Sequence, residues 1–154
     1  MIIIRKIQKK DIEQCWDIVA ANFDEEAANR FDVEVSDVWS NAFRKPMYFV
    51  AVEEEGDGEA HNETVVGFAG MERSHIMHGV WTGTYVNVRK DYEGQGIGSR
   101  LMRHLLHVAR HEHDAKVFQG ITVAYAFLDR LGFKCVHSYG KWDLMQVEFG
   151  PLDI

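Results

Sequence analysis

Apolar residues fall in two rhythms along the 154-residue chain, one of period two and one near 3.6, and the switches between them mark the elements. Ile2 to Ile7 predicts a first strand. Asp11 then reads as an N-cap, with Gln14 three residues on completing a capping box. Ile12, Cys15, Trp16, Val19 and Phe23 follow at helical spacing and predict an amphipathic helix over 12–22. A second helix is expected over Val35 to Arg44, with Val38, Trp39 and Phe43 on its buried side. Met47 to Val52 predicts a strand and Thr64 to His75 its hairpin partner, joined by the acidic, glycine-containing stretch Glu53 to Glu63. Gly79 to Val88, rich in Thr, Tyr and Val, predicts a further strand. From Ile97 a long helix is clearest: Leu101, Leu105 and Val108 share a face widened by Met102, Leu106 and Ala109, opposite Arg100, Arg103, His104, His107 and His111. Lys116 to Phe118 then reads as a short strand and 121–131 as a helix ending at Gly132. Phe133 to Tyr139 and Trp142 to Phe149 read as two closing strands. This order predicts one α/β (α+β) domain over 1–154, with a mixed, mostly antiparallel sheet of about six to seven strands and helices on both faces.

Composition narrows the function classes. Hydrophobic residues make up 46% and charged residues 27%, the balance of a globular chain. The 24 acidic residues outnumber 17 basic ones, for a net charge of −7, which disfavours nucleic acid because phosphate binding needs Lys and Arg. Cys15 and Cys135 are too few for a disulfide framework or a cysteine zinc site, and both are expected in the core. No apolar run approaches the ~20 residues that span a bilayer. The N-terminus is apolar only as far as Arg5 and Lys6, too short for a signal peptide, so no membrane and a cytoplasmic location are expected.

The chemistry concentrates in Val86 to Arg103, where a strand ends, a glycine-rich turn follows and the long helix begins. Gly94, Gly96 and Gly98 let a ligand approach the backbone closely, and the first N–H groups of the helix have no intrahelical partner. With the helix dipole they suit a phosphate group, although a turn that merely connects two elements would look similar. A P-loop would need Lys and Ser or Thr after its last glycine, whereas Gly98 is followed by Ser99 and Arg100. The dinucleotide fingerprint has another glycine spacing and sits in the first strand–helix unit of its domain.

Val86-Asn87-Val88 followed by Asp91 to Gly98 resembles the cofactor signature of the GNAT superfamily of acetyl-CoA-dependent N-acetyltransferases. Ala124 to Phe133, AYAFLDRLGF, resembles that family's late helix running into Leu-Gly-Phe, and the order of elements is similar over nearly the whole chain. The resemblance implies acetyl-CoA as co-substrate. Backbone groups of Val86 and Val88 would pair with its pantetheine arm, and the turn formed by Glu93, Gly94, Gln95, Gly96, Ile97, Gly98 and Ser99 would hold the pyrophosphate through main-chain N–H groups. Two positions depart from the family pattern. Glu93 stands where Arg or Gln is usual, a charge that Arg89, Lys90 and Arg100 would offset. Leu128 stands where a Tyr often protonates the leaving thiolate, which makes Tyr125, one turn earlier, the substitute acid or else a packing aromatic.

The implied reaction is direct attack by a primary amine in a ternary complex, with no covalent enzyme intermediate. The amine arrives protonated and needs a base. The strand before the turn carries no carboxylate, so Glu72 is the first candidate and His75 the second. Asp24, Glu25, Glu26, Asp32 and Glu34 either attract a cationic acceptor or form a solvated loop, and Tyr139, Lys141 and Trp142 would line the same pocket. His104, His107 and His111 share their face with Arg100 and Arg103, which disfavours a metal, and none is expected. The expected partner is a small-molecule or protein amine acceptor, with a homodimer left open. The alternative is a non-catalytic acyl-CoA-binding sensor of the same fold, motivated by Glu93 and Leu128.

Overall fold

The computed structural model describes residues 1–40, 45–58 and 62–150. Its centre is a seven-stranded sheet in the order β1-β2-β3-β4-β5-β7-β6. The strands are β1 (Ile2–Lys6), β2 (Met47–Glu55), β3 (Asn62–Arg73), β4 (Val80–Val88), β5 (Val117–Thr122), β6 (Lys134–Tyr139) and β7 (Trp142–Glu148). Every neighbouring pair is antiparallel except β4 and β5, which run parallel. The sheet is therefore mixed and mostly antiparallel, as the pattern of elements predicts.

Two helices, α1 (Ile12–Asn22) and α2 (Glu25–Val35), pack on one face. There Cys15, Ile18 and Val19 meet Phe31, Val50 and Phe68 in one core. The rings of Phe31, Phe68, Tyr48 and Tyr85 close that core, Phe31 lying 4.8 Å from Phe68 and 5.7 Å from Tyr85. The other face carries α3 (Ile97–His113) and α4 (Tyr125–Arg130). Leu101, Leu105, Val108 and Leu128 there bury against Phe118, Phe133 and Met145.

Several local expectations are corrected. The second helix lies at Glu25–Val35, not Val35 to Arg44. Asp24 caps it by accepting the Ala27 N–H at 2.7 Å, and its buried stripe is Ala28, Phe31 and Val35. A 3-10 turn, Ser36–Trp39, follows, and Trp39 is exposed rather than core. Phe43 and the expected end of that helix lie outside the described residues, as does part of the Glu53 to Glu63 stretch. Gln14 does not complete a capping box. Its side chain accepts the Val65 N–H, while the reciprocal box forms one turn earlier between Gln8 and Asp11. The helix expected over 121–131 is confined to Tyr125–Arg130, because residues up to Thr122 extend β5 and pair with β7. It ends as expected at Gly132, whose φ is +92°. Cys15 is buried, but Cys135 is exposed, because all of β6 is an uncovered edge strand. Among the described residues no helix is long and apolar enough to cross a membrane.

Candidate active site

The site begins with a bulge in β4. Tyr85 pairs with Gly70 of β3 and Gly83 pairs with the next residue, Met71, so Thr84 has no cross-strand partner. A bulge bends its strand and ends pairing nearby. Accordingly β4 pairs with β5 only through Val80, Trp81 and Thr82. Beyond these residues the two strands part, and β5 continues along β7 alone. The Arg89 N–H donates to the Val66 carbonyl on β3 at 2.8 Å. Alternation along the strand then turns the backbone groups of Val88 and Val86 to the open edge of β4. These are the two residues whose main chain the sequence reading assigns to the pantetheine arm.

The edge leads into the glycine turn. Gly94 and Gly96 have φ of +82° and +80°, the left-handed region that glycine adopts at no steric cost. Gly96 is the N-cap of α3 and has no side-chain cap. The first helical bond runs from the Arg100 N–H to the Gly96 carbonyl, so the N–H groups of Ile97, Gly98 and Ser99 remain unspent within the helix. No acidic residue lies in the first turn, and Glu93 is exposed just before it. A 17-residue helix with this start has its positive end aimed at the turn. Gly98 connects the turn to the edge: a Cβ there would lie 3.7 Å from both Val88 and Phe127. Of the three cations expected to offset Glu93, Arg89 is already paired with Asp91 and Arg100 donates to the Ile2 carbonyl. Lys90 is exposed.

On the α1/α2 side of the bulge lies a cleft of about 420 Å³ lined by Glu34, Asp37, Pro46, Tyr48, Glu72, Thr84 and Tyr85. Among the described residues its lining holds three carboxylates and no Lys or Arg. Glu72 pairs across from Thr82, one step below the bulge. Burial is the main cause that pushes the Tyr48 hydroxyl above its ordinary range, and the charges of Glu34 and Glu72 add to it. Tyr85 is raised first by burial and then by its hydrogen bond to Glu34. Both phenols therefore stay neutral near pH 7 and present hydroxyls beside the carboxylates.

Gly70 makes this packing possible, since a Cβ there would lie 2.5 Å from the Tyr48 ring and 2.7 Å from Thr84 Oγ1. Gly70→Ala is expected to destabilise the fold by about 1–3 kcal/mol through overpacking at the bulge, measured by denaturant unfolding. Unchanged stability would mean that Tyr48 and the bulge relax freely.

Of the catalytic candidates, Glu72 lines the cleft. His75 is exposed in the loop after β3, and Tyr125 is exposed in the first turn of α4, both outside the cleft lining. Glu34 belongs to the cleft, whereas Asp24, Glu25, Glu26 and Asp32 are exposed and outside it. Tyr139, Lys141 and Trp142 are exposed at the β6–β7 turn and do not line it. Leu128 is buried in the core. The sequence reading does not single out Tyr48, Thr84, Tyr85 or Asp37 as site residues. Among the described residues no group of three His, Cys, Asp or Glu is placed to hold a metal.

The sequence profile of the Acetyltransferase (GNAT) family matches residues 12–133. The chain belongs to the GNAT acetyltransferase family and is an acetyltransferase. Comparison with curated protein sequences finds no significant match. Solved structures share the fold at low identity. A GNAT family acetyltransferase from Brucella melitensis in complex with acetyl-CoA is 19% identical, with a TM-score of 0.71 over 98% of this chain and 90% of that one. An aminoglycoside 6'-N-acetyltransferase complexed with coenzyme A is 18% identical, with a TM-score of 0.72 over 99% of both chains. The ribosomal-protein-S18-alanine N-acetyltransferase from Escherichia coli is 15% identical, with a TM-score of 0.71 over 99% of this chain and 97% of that one.

Proposed function

We propose that this acetyltransferase moves the acetyl group of acetyl-CoA to a cationic primary amine, by direct attack in a ternary complex. The observation that carries this reading is the acidic cleft at the bulge, where β4 leaves β5. The fold also suits the co-substrate. Main-chain N–H groups of Ile97, Gly98 and Ser99 would hold the pyrophosphate at the start of α3, and the open edge at Val86 and Val88 would take the pantetheine arm. Bound there, acetyl-CoA supplies a thioester whose acyl group a free amine can take.

The residues of the cleft do the rest. An alkylamine with a pKa of about 10 arrives as a cation, and Glu34, Asp37 and Glu72 attract it. Glu72 takes its proton, directly or through water, so that the nitrogen lone pair is available. The neutral hydroxyls of Tyr48 and Tyr85 orient the amine by hydrogen bonding. Glu72 is preferred to His75 because only Glu72 lines the cleft. Tyr125 is the candidate acid for the leaving thiolate, whose reference pKa of about 8.5 also allows water to serve. A small molecule or a protein can offer the acceptor amine; the similar folds of an aminoglycoside enzyme and a ribosomal-protein enzyme are compatible with either.

A transfer assay over alkylamines, arylamines and alcohols tests the reading. Transfer is expected to alkylamines and not to arylamines or alcohols. Coenzyme A binding with no transfer to any amine would contradict it. Tyr125→Phe is expected to slow turnover several-fold while changing the Kd for coenzyme A less than twofold. An unchanged rate would leave Tyr125 as packing.

A further inference from the structure

The cleft at the bulge holds more negative charge than the transfer uses. Glu72 comes from β3, whereas Glu34 lies in the last turn of α2 and Asp37 in the 3-10 turn that follows. All three line the one cleft. The Tyr48 side chain, only 3% exposed, feels the charges of both Glu34 and Glu72. Tyr85 donates its hydroxyl to Glu34, and a carboxylate that accepts one phenol still has lone pairs for an ammonium group. Arg30, on the same helix, is tied to Glu26 at 3.3 Å. The attacking amine must first give its proton to Glu72, and from then on it carries no charge for Glu34 and Asp37 to match. Those two carboxylates are left to a cation that the reaction does not consume. There is also room beyond them. Glu34 borders a second, open groove of about 610 Å³ along α2, shared with Glu25, Glu26, Asn29, Arg30 and Val33. Val33 is 71% exposed there and offers apolar surface to a methylene chain.

We propose that the acceptor is a linear diamine: one amino group reacts beside Glu72 while the other, still an ammonium, is held by Glu34 and Asp37. The inference rests on the reading above that the cleft receives a cationic amine, and it names the class of that amine. The chemistry is unchanged. The C–N bond forms as the C–S bond breaks, Glu72 takes the amine proton and the thiolate leaves with coenzyme A. The remote ammonium keeps its proton throughout, so its contacts persist into the transition state and the preference appears in kcat/KM. A longer acceptor would continue past Glu34 over Val33.

Steady-state kinetics on the full chain with matched acceptors tests this: the α,ω-diamines of butane and hexane against butylamine and hexylamine. The parent is expected to use each diamine with about tenfold higher kcat/KM than its monoamine, where a second amino group by number alone gives about twofold. The double variant Glu34→Gln/Asp37→Asn is expected to lose about tenfold more kcat/KM with the diamine than with the monoamine, so that the preference disappears. Both side chains are exposed, and Glu34→Gln alone repeats the comparison with a smaller fall in the preference should the double variant fail to fold. A parent that uses both members of each pair within about twofold would overturn the inference. So would a variant that keeps the preference, or one that loses both acceptors to the same degree. No transfer to any amine defeats the cationic-amine reading itself, and the inference with it.

Discussion

A Gly96→Glu variant is expected to lose coenzyme A binding by more than about a hundredfold while remaining folded. Gly96 caps α3 at φ +80°, and a Cβ there would meet nothing within 4 Å, so the added side chain has room. The backbone strain of a non-glycine residue in that region is about 1–2 kcal/mol, a small part of a domain's stability. The larger effect is electrostatic. A carboxylate would sit beside the unspent N–H groups of Ile97, Gly98 and Ser99 and compete with a phosphate for them. Gly96→Ala carries the strain without the charge and is expected to weaken binding far less. Thermal melting with calorimetry separates the two effects. Normal coenzyme A binding by Gly96→Glu would mean that the nucleotide does not sit at this helix start.

Glu72→Gln is expected to lower kcat/KM by about a hundredfold or more, within the usual range for loss of a positioned base. The substitution preserves size, so the cleft and its tyrosines should persist. Coenzyme A affinity should stay unchanged, since Glu72 lines the cleft at the bulge and does not lie along the open edge. The lost rate should return in part as the pH approaches about 10, where the amine deprotonates without help. Steady-state kinetics over pH, with a parallel titration of coenzyme A, checks both statements. A variant with parental kcat/KM at neutral pH would exclude Glu72 as the base.

What the sequence disclosed follows the range of the forces involved. The strand, turn and long helix from Val80 to His113 are local features: glycines at set positions and an apolar stripe of Leu101, Leu105 and Val108. They read correctly from the chain. The α2 helix did not, because its stripe of Ala28, Phe31 and Val35 is interleaved with acidic residues that read equally well as a loop. The length of β5 depends on pairing with β7, which lies later in the chain, so by local pattern alone Ile121 and Thr122 read as helix. Cys135 reads as core because a strand pattern does not reveal that β6 lies uncovered at the sheet edge.

The site divides in the same way. Glu72 was legible as a carboxylate near the strand that precedes the turn. The bulge at Thr84 was not, since it exists only in the register of β3 against β4. Tyr48 and Tyr85 do pack as core aromatics, their rings 6.2 Å apart, and still line the cleft, a double role that alternation alone cannot express.

The central claim is that coenzyme A seats its pyrophosphate on the start of α3 and its arm on the open edge of β4. Backbone amide shift mapping by NMR during titration with coenzyme A tests it most directly. The account predicts the largest changes at Ile97, Gly98 and Ser99, followed by Val86 and Val88. Saturable binding with those amides unmoved and the changes clustered elsewhere would contradict it.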